Sequence, residues 1–407
     1  MSALAAILHA RGHKISGSDL TQSDQTRMLE GLGVKVFIGH RRANSKHADI
    51  VVINGAIRED NPELANNIPV VTREDLLAEI ESTFRVRIAV AGSHGKSTTT
   101  AMIAQILVEA GLDPTVHNGA VMHIKHPASQ AWHPSLASAQ APLMLEGNYL
   151  LGKGDIFLTE ACEFKRSFLT LSPTIAVITN IDFDHVDCFK DFAAVKQSFD
   201  EFAKKAGTVV RTEECPPVDF ALQVPGAHNL ENARAAAQVG RVLGIKEDVI
   251  RKALENFKGT DRRFQRVGVI QTCDIISDYA HHPAELAATI QTARSLYNRF
   301  LVIFQPHTYT RTVALFNDFV KVLSACDCVM YRTYAARELP IVGGRAKDLA
   351  AAIKNSPLER RGGTRQRDGV VYIATPTALN NFIKRVSHKY DAIVLAGAGD
   401  MQGLFKA

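Results

Sequence analysis

Short, continuous apolar runs recur along the 407-residue chain, separated by longer stretches in which apolar residues return every three or four positions. The first pattern fits a strand buried on both faces, the second a helix with one buried side. Their alternation predicts parallel sheets with crossover helices, an α/β fold. Three such blocks follow one another, at residues 1–85, 86–260 and 261–407. The first offers HKISGSD, KVFIGH, DIVVINGA and PVVT as strands, with helix patterns in MSALAAILHARG, SDQTRMLEGLG and NPELANN. The second offers RIAVAG, DIFLTE and TIAVITN, then the helical runs LENARAAAQVGRVLG and KEDVIRKALENF. The third offers DIISDYA, FLVIFQPH, CVMYRTY, GVVYIAT and DAIVLAGAG. Ligands of such sheets collect at the carboxyl ends of strands, so the polar residues just after each apolar run carry the interest.

One of these junctions is chemically explicit. IAVAGSHGKSTTTAMIAQIL, starting at Ile88, runs from a strand through two glycines and Gly-Lys-Ser into an apolar helix. Gly92 and Gly95 allow the N–H groups of Gly92, Ser93, His94 and Gly95 to converge on an anion, and the helix aims its positive end at the same point. Lys96 can neutralise the β- and γ-phosphates of a nucleotide. The Ser97 hydroxyl can ligate Mg²⁺, and Thr98 and its neighbours add donors. The common phosphate loop has a further glycine where this chain has Val90. If Mg²⁺ binds here, further ligands should follow nearby strands: Glu160 ends DIFLTE, and His185 follows TIAVITNIDFD. Alone, either residue reads as a helix cap or a surface group. Beside the loop, both become candidate ligands.

Composition narrows the class. Apolar residues at 46% and charged residues at 22% are ordinary for a globular protein, and no apolar run reaches membrane-spanning length. The apolar start has no cationic stretch before it and does not read as a signal peptide. Six cysteines without a C-x-x-C pair fit a reducing cytoplasm and argue against structural zinc. A formal charge of +5 suits an anionic small substrate and is too weak to argue for nucleic acid.

GSHGKSTTT, TEACEFKRSFL, TNIDFDHVDCF, HNLENARAA, DRRFQ, DYAHHPAE, FQPHTYTRT and AGAGD occur in one order. In that order the chain resembles the Mur ligase family along nearly its whole length. The resemblance implies three α/β domains: a Rossmann-like N-terminal domain binding a UDP-sugar (1–85), a central P-loop-type ATPase domain (86–260) and a Rossmann-like C-terminal domain (261–407) that receives the amino acid and clamps ATP. It also implies ATP-dependent amide formation through an acyl phosphate. The motifs are most similar to those of the member that joins L-alanine to UDP-N-acetylmuramate. Murein peptide ligase, which adds a tripeptide, and a homologue that binds nucleotide without ligating are the alternatives.

The resemblance assigns roles residue by residue. Lys96 and the loop would hold phosphates. Ser97, Glu160 and His185 would hold Mg²⁺. His228, Asn229 and Asn232 would meet adenine, Asp278 the ribose and Arg263 a phosphate. His281 and Arg311 would stand near the amine and the anionic intermediate, with Tyr309 beside them; His282 is expected to be structural. Several relatives carry a carbamylated Lys where this chain has Asp200, and the alanine-adding member lacks it too. Two departures are expected to matter. The chain starts where relatives already have a strand and a glycine loop behind them, and the segment between His185 and His228 is short.

Overall fold

A computed structural model describes the chain except residues 56, 127–142, 184–187, 337, 356–370, 400, 402 and 404–407. The chain forms two compact units, residues 1–181 with 196–216 and 234–254, and residues 182–195 with 217–233 and 255–407. The first unit holds the block expected at 1–85 and most of that expected at 86–260.

The strands of the first unit are β1 (Ser16–Asp19), β2 (Lys35–Ile38), β3 (Val51–Ile53), β4 (Val70–Thr72), β5 (Val86–Ala91), β6 (Thr115–His126), β7 (Leu143–Leu150), β8 (Ile156–Glu160), β9 (Ile175–Ile178) and β10 (Thr208–Arg211). The first four form two separate parallel pairs, β1 with β2 and β3 with β4. Among the described residues no ladder joins β1 to β3. NPELANN is a short 3-10 turn, Pro62–Asn66, rather than a regular helix; Asn61 caps its start and left-handed Asn67 ends it. Helix Ser2–Ala10 buries Ala3, Leu4, Ala6 and Ile7 and packs on β6 and β7.

The other six strands make one sheet in the order β10-β9-β5-β8-β6-β7, parallel except for β7. Helix Lys96–Glu109 lies against it, and every residue from Ser97 to Val108 is buried. Such a helix has no solvent face, which is why its apolar residues show no amphipathic stripe. In the turn after β8, Phe168 stacks on Phe202 and meets Phe199 edge-on.

The second unit is built on a sheet of β11 (Gln265–Ile270), β12 (Cys273–Asp278), β13 (Phe300–Phe304), β14 (Asp327–Tyr331), β15 (Val371–Ile373) and β16 (Ala392–Ala396). Its order is β11-β12-β16-β13-β14-β15, parallel except for the β11–β12 hairpin. Apolar clusters cover both faces, one around Phe304, Phe319 and Leu323, the other around Ile303, Leu379 and Ile393. No helix among the described residues is long and apolar enough to cross a membrane.

Candidate active site

The phosphate loop follows β5 at the carboxyl end of the first unit's sheet. Val90, where the common loop has its first glycine, is fully buried strand paired with Glu160 on β8. The conformational freedom moves instead to Gly92 (φ 144°), where a Cβ would collide with the Thr179 hydroxyl, and to Gly95 (φ 82°), which caps the helix. The residues just after β9, the strand paired with β5, shape the loop. The Ser93 N–H donates to the Asn180 carbonyl at 3.0 Å, and the Thr179 hydroxyl donates to the His94 carbonyl at 2.6 Å. Lys96, Ser97 and Thr98 open the helix, so their N–H groups have no carbonyl within it to meet.

Lys96 is nearly buried, and its ammonium donates to the Gly92 and Ser93 carbonyls and to Glu163 at 3.0 Å. Burial is the largest single influence and would lower its pKa; Glu163, Cys162 and Glu160 together outweigh it, and the ammonium stays charged. Ser97 is held by Asn118, whose amide donates to the Ser97 carbonyl at 3.1 Å. Glu160 ends β8 with one carboxylate oxygen accepting the Gly119 N–H at 2.9 Å, a position any side chain at residue 119 would obstruct. A hydroxyl and a carboxylate are hard oxygen donors of the kind Mg²⁺ takes, so the residues present fit the ion. His185 lies outside the described residues. Behind Glu160, Arg73 faces His117 at 3.2 Å, His117 faces Thr159 at 2.9 Å, and the Thr159 hydroxyl donates to the Glu160 carbonyl. Asp200 pairs with Arg211 at 3.5 Å.

The second unit holds the other candidates. His228, Asn229 and Asn232 start helix Ala227–Val242; the Asn229 amide donates to the Pro225 carbonyl, and that of Asn232 to Asn229. Asp278 is buried, accepting N–H groups from Phe264 and Ala280 and the Thr289 hydroxyl. Burial raises its pKa, against the pull of Arg263 and of those N–H donors. The turn carrying Arg263 has left-handed backbone at Arg262 (φ 59°) and Phe264 (φ 50°), and is strapped by Arg262 donating to the Gly397 and Gly399 carbonyls. Arg263 itself lies over the Tyr279 ring, 3.9 Å from Glu285.

His281 Nδ1 faces the Tyr279 carbonyl at 3.0 Å and Glu285 at 3.2 Å. Both partners only accept, so Nδ1 carries a hydrogen, and in the neutral ring the lone pair sits on Nε2. His282 caps helix Pro283–Leu296, the structural task expected of it. Arg311 meets His307 at 2.9 Å, and the His307 ring stands edge-on to His281, so His307 joins the two candidate catalytic residues. Tyr309 and Thr310 donate their N–H groups to Glu338.

Four site residues escaped the sequence reading: Asn118, Gly119, Glu163 and His307. His307 was the closest to view, since it ends the buried run FLVIFQPH.

A glycine loop opening a buried helix at the head of a mostly parallel sheet, with an acid at the neighbouring strand's end, is the arrangement of a nucleotide-binding α/β enzyme. Family models support the same class: the Mur ligase family catalytic domain matches residues 1–85, the Mur ligase middle domain 90–216, and the Mur ligase glutamate ligase domain 262–399. The chain belongs to the Mur ligase family, whose members are ATP-dependent amide-bond ligases, and has its three α/β domains. It is 36% identical to UDP-N-acetylmuramate–L-alanine ligase of Burkholderia multivorans, over 99% of this chain and 94% of that protein. With the Clostridium perfringens ligase of the same name the identity is 32%, over 98% and 93%. The solved UDP-N-acetylmuramate-alanine ligase of Thermotoga maritima superposes with a TM-score of 0.77 at 25% identity, over 99% of this chain and 94% of that one. A murein peptide ligase from Psychrobacter arcticus gives 0.65 at 22% identity, over the same shares, and shares the fold.

Proposed function

We propose that the chain is an ADP-forming ligase that joins L-alanine to the carboxylate of UDP-N-acetylmuramate through an acyl phosphate, in the synthesis of peptidoglycan precursors. The observation that supports this most is the likeness, along almost the whole chain, to relatives named for that reaction. The division of labour follows the three blocks expected from the sequence, residues 1–85 for the sugar nucleotide, 86–260 for ATP and 261–407 for the amino acid; family matches over 1–85, 90–216 and 262–399 support it. The cytoplasm, where ATP and sugar nucleotides are supplied, is the compartment this reading requires.

A carboxylate is a poor electrophile, and phosphorylation gives it a leaving group. Two anions must meet for that step, so positive charge has to be in place beforehand. In this reading Lys96 and the N–H groups of residues 95–98 receive the β- and γ-phosphates. Ser97, Glu160 and His185 would hold Mg²⁺, which when bound spreads the charge on the transferring phosphoryl group. Arg263 would add a cation to the same charge, and His228, Asn229 and Asn232 would meet adenine. Asp278 has two oxygens with about four acceptor sites, and three donors already use it, which leaves room for a ribose hydroxyl. The attacking amine must arrive neutral; His281, with its lone pair on Nε2, would take the proton, and Arg311 would balance the anionic intermediate.

Phosphate release by the purified chain tests the reading, with an amino acid panel of Ala, Gly and Ser and with the tripeptide. Release that needs both UDP-N-acetylmuramate and L-alanine is the expected result. The panel is needed because a pocket separates Ala from Gly by only about 1–3 kcal/mol. Release with the tripeptide and not with L-alanine would make the chain a murein peptide ligase. Nucleotide binding with no release would make it a non-ligating homologue.

A further inference from the structure

The Lys96 ammonium has three N–H donors, and the protein accepts all of them: at the Gly92 carbonyl, at the Ser93 carbonyl and at Glu163. For Lys96 to grip a phosphate, one of these must give way. Two are main-chain carbonyls of the loop itself, fixed by Gly92's backbone and by the contacts to β9. Glu163 is a side chain that can turn about its own bonds.

Glu163 is also set in place with care. It is 2% exposed, and its main chain is tied down on both sides. The Arg166 N–H donates to the Glu163 carbonyl at 2.8 Å; Ser167 and Phe168 both donate to the Cys162 carbonyl; and Phe168 is anchored among Phe199 and Phe202. The turn that results holds two consecutive non-glycine residues, Lys165 (φ 50°) and Arg166 (φ 58°), in left-handed backbone. Strain of this kind persists only where the surroundings enforce it, and it concentrates at functional sites. Here it delivers a carboxylate, from 67 residues away, to the one lysine of the phosphate loop.

We propose that Glu163 competes with the nucleotide's phosphates for Lys96, and so sets how tightly nucleotide is held and how fast ADP leaves. This rests on the reading of the loop as the ATP site. Glu163 is a positioning residue acting through Lys96. Its carboxylate offers the ammonium a charged partner whenever phosphate departs, which lowers the cost of product release.

The test is calorimetric ADP and ATP binding, with ADP dissociation rates, on the full chain and on Glu163→Gln, Glu163→Asp, Lys96→Ala and the double variant Lys96→Ala/Glu163→Gln. Glu163→Gln should bind ADP roughly tenfold more tightly, since a charge-assisted hydrogen bond no longer has to be broken. It should release ADP more slowly, lowering both KM for ATP and kcat. Glu163→Asp keeps the charge at shorter reach, folds as the parent does, and should fall between. In the Lys96→Ala background the Gln change should have no effect on affinity. Unchanged or weaker ADP binding by folded Glu163→Gln, or the same gain with and without Lys96, would overturn the proposal. If Lys96→Ala itself binds nucleotide normally, the reading of the loop fails instead, and the two failures are distinguishable.

Discussion

Asn180 holds His94 from both sides: its Oδ1 accepts the His94 N–H at 2.9 Å and its Nδ2 donates to the His94 carbonyl at 2.9 Å. An amide is the only side chain of this length that can do both at once. Asn180→Asp keeps the acceptor, loses the donor and sets a negative charge against a loop built for anions. ATP binding should weaken by about a hundredfold or more, of the order of 2.7 kcal/mol, with the circular dichroism spectrum unchanged. Titration of a fluorescent nucleotide measures it, and a near-normal affinity would show that the clamp is dispensable.

Glu160 and Gly119 make a paired prediction about Mg²⁺. Glu160→Gln and His185→Ala each remove a proposed ligand and should raise the Mg²⁺ concentration needed for half-maximal activity. Gly119→Ala leaves every ligand in place but crowds the Glu160 carboxylate, and should produce the same shift in milder form. Activity against Mg²⁺ is the assay. Superimposable curves for all three variants would make these residues structural.

His117 predicts a pH dependence of stability. Burial first, and the Arg73 guanidinium second, push its pKa from 6.5 to about 3. The unfolded chain takes up a proton as pH falls through 6.5, whereas the folded chain does so only near 3. Stability therefore falls as pH falls across that window, by up to about 1.4 kcal/mol per pH unit from this residue. Urea midpoints between pH 7 and 4 should slope less steeply in His117→Gln, which cannot titrate. Equal slopes would count against a neutral buried imidazole.

The thin sheets of residues 1–85 predict uneven protection. No residue of β1 to β4 is buried, and among the described residues each pair has no further strand on either side, whereas β5, β8 and β9 are nearly all buried within a six-stranded sheet. Amide hydrogen exchange should be fastest in β1 to β4 by several orders of magnitude, because opening there exposes little apolar surface. Uniform protection across both regions would contradict this.

Much of the architecture was legible because its central strands are buried on both faces. IAVA, IFL, IAVI, FLVIF and AIVLA each read as an unbroken apolar run, and each lies in a strand. The strands that went unread are those at sheet edges or in hairpins. β11 exposes Val267 and Val269, β10 is four residues after a turn, and β6 carries His117, Asn118 and Gly119 among its apolar positions. The site divided in the same way. Lys96 and its glycines announce themselves by spacing within a few residues. Glu163, Asn118 and Gly119 matter only through partners 67, 21 and 41 residues away, and no local pattern marks them.

The tie between His94 and Asn180 spans 86 residues, and Thr179 grips the loop across nearly the same distance. A ribosome must therefore deliver the chain well past β9 before the glycine loop has a fixed shape. Until then the newborn polypeptide holds every residue of the GSHGKS stretch without the ties that shape it. With the loop read as the ATP site, affinity for nucleotide is expected only once β9 has docked beside β5.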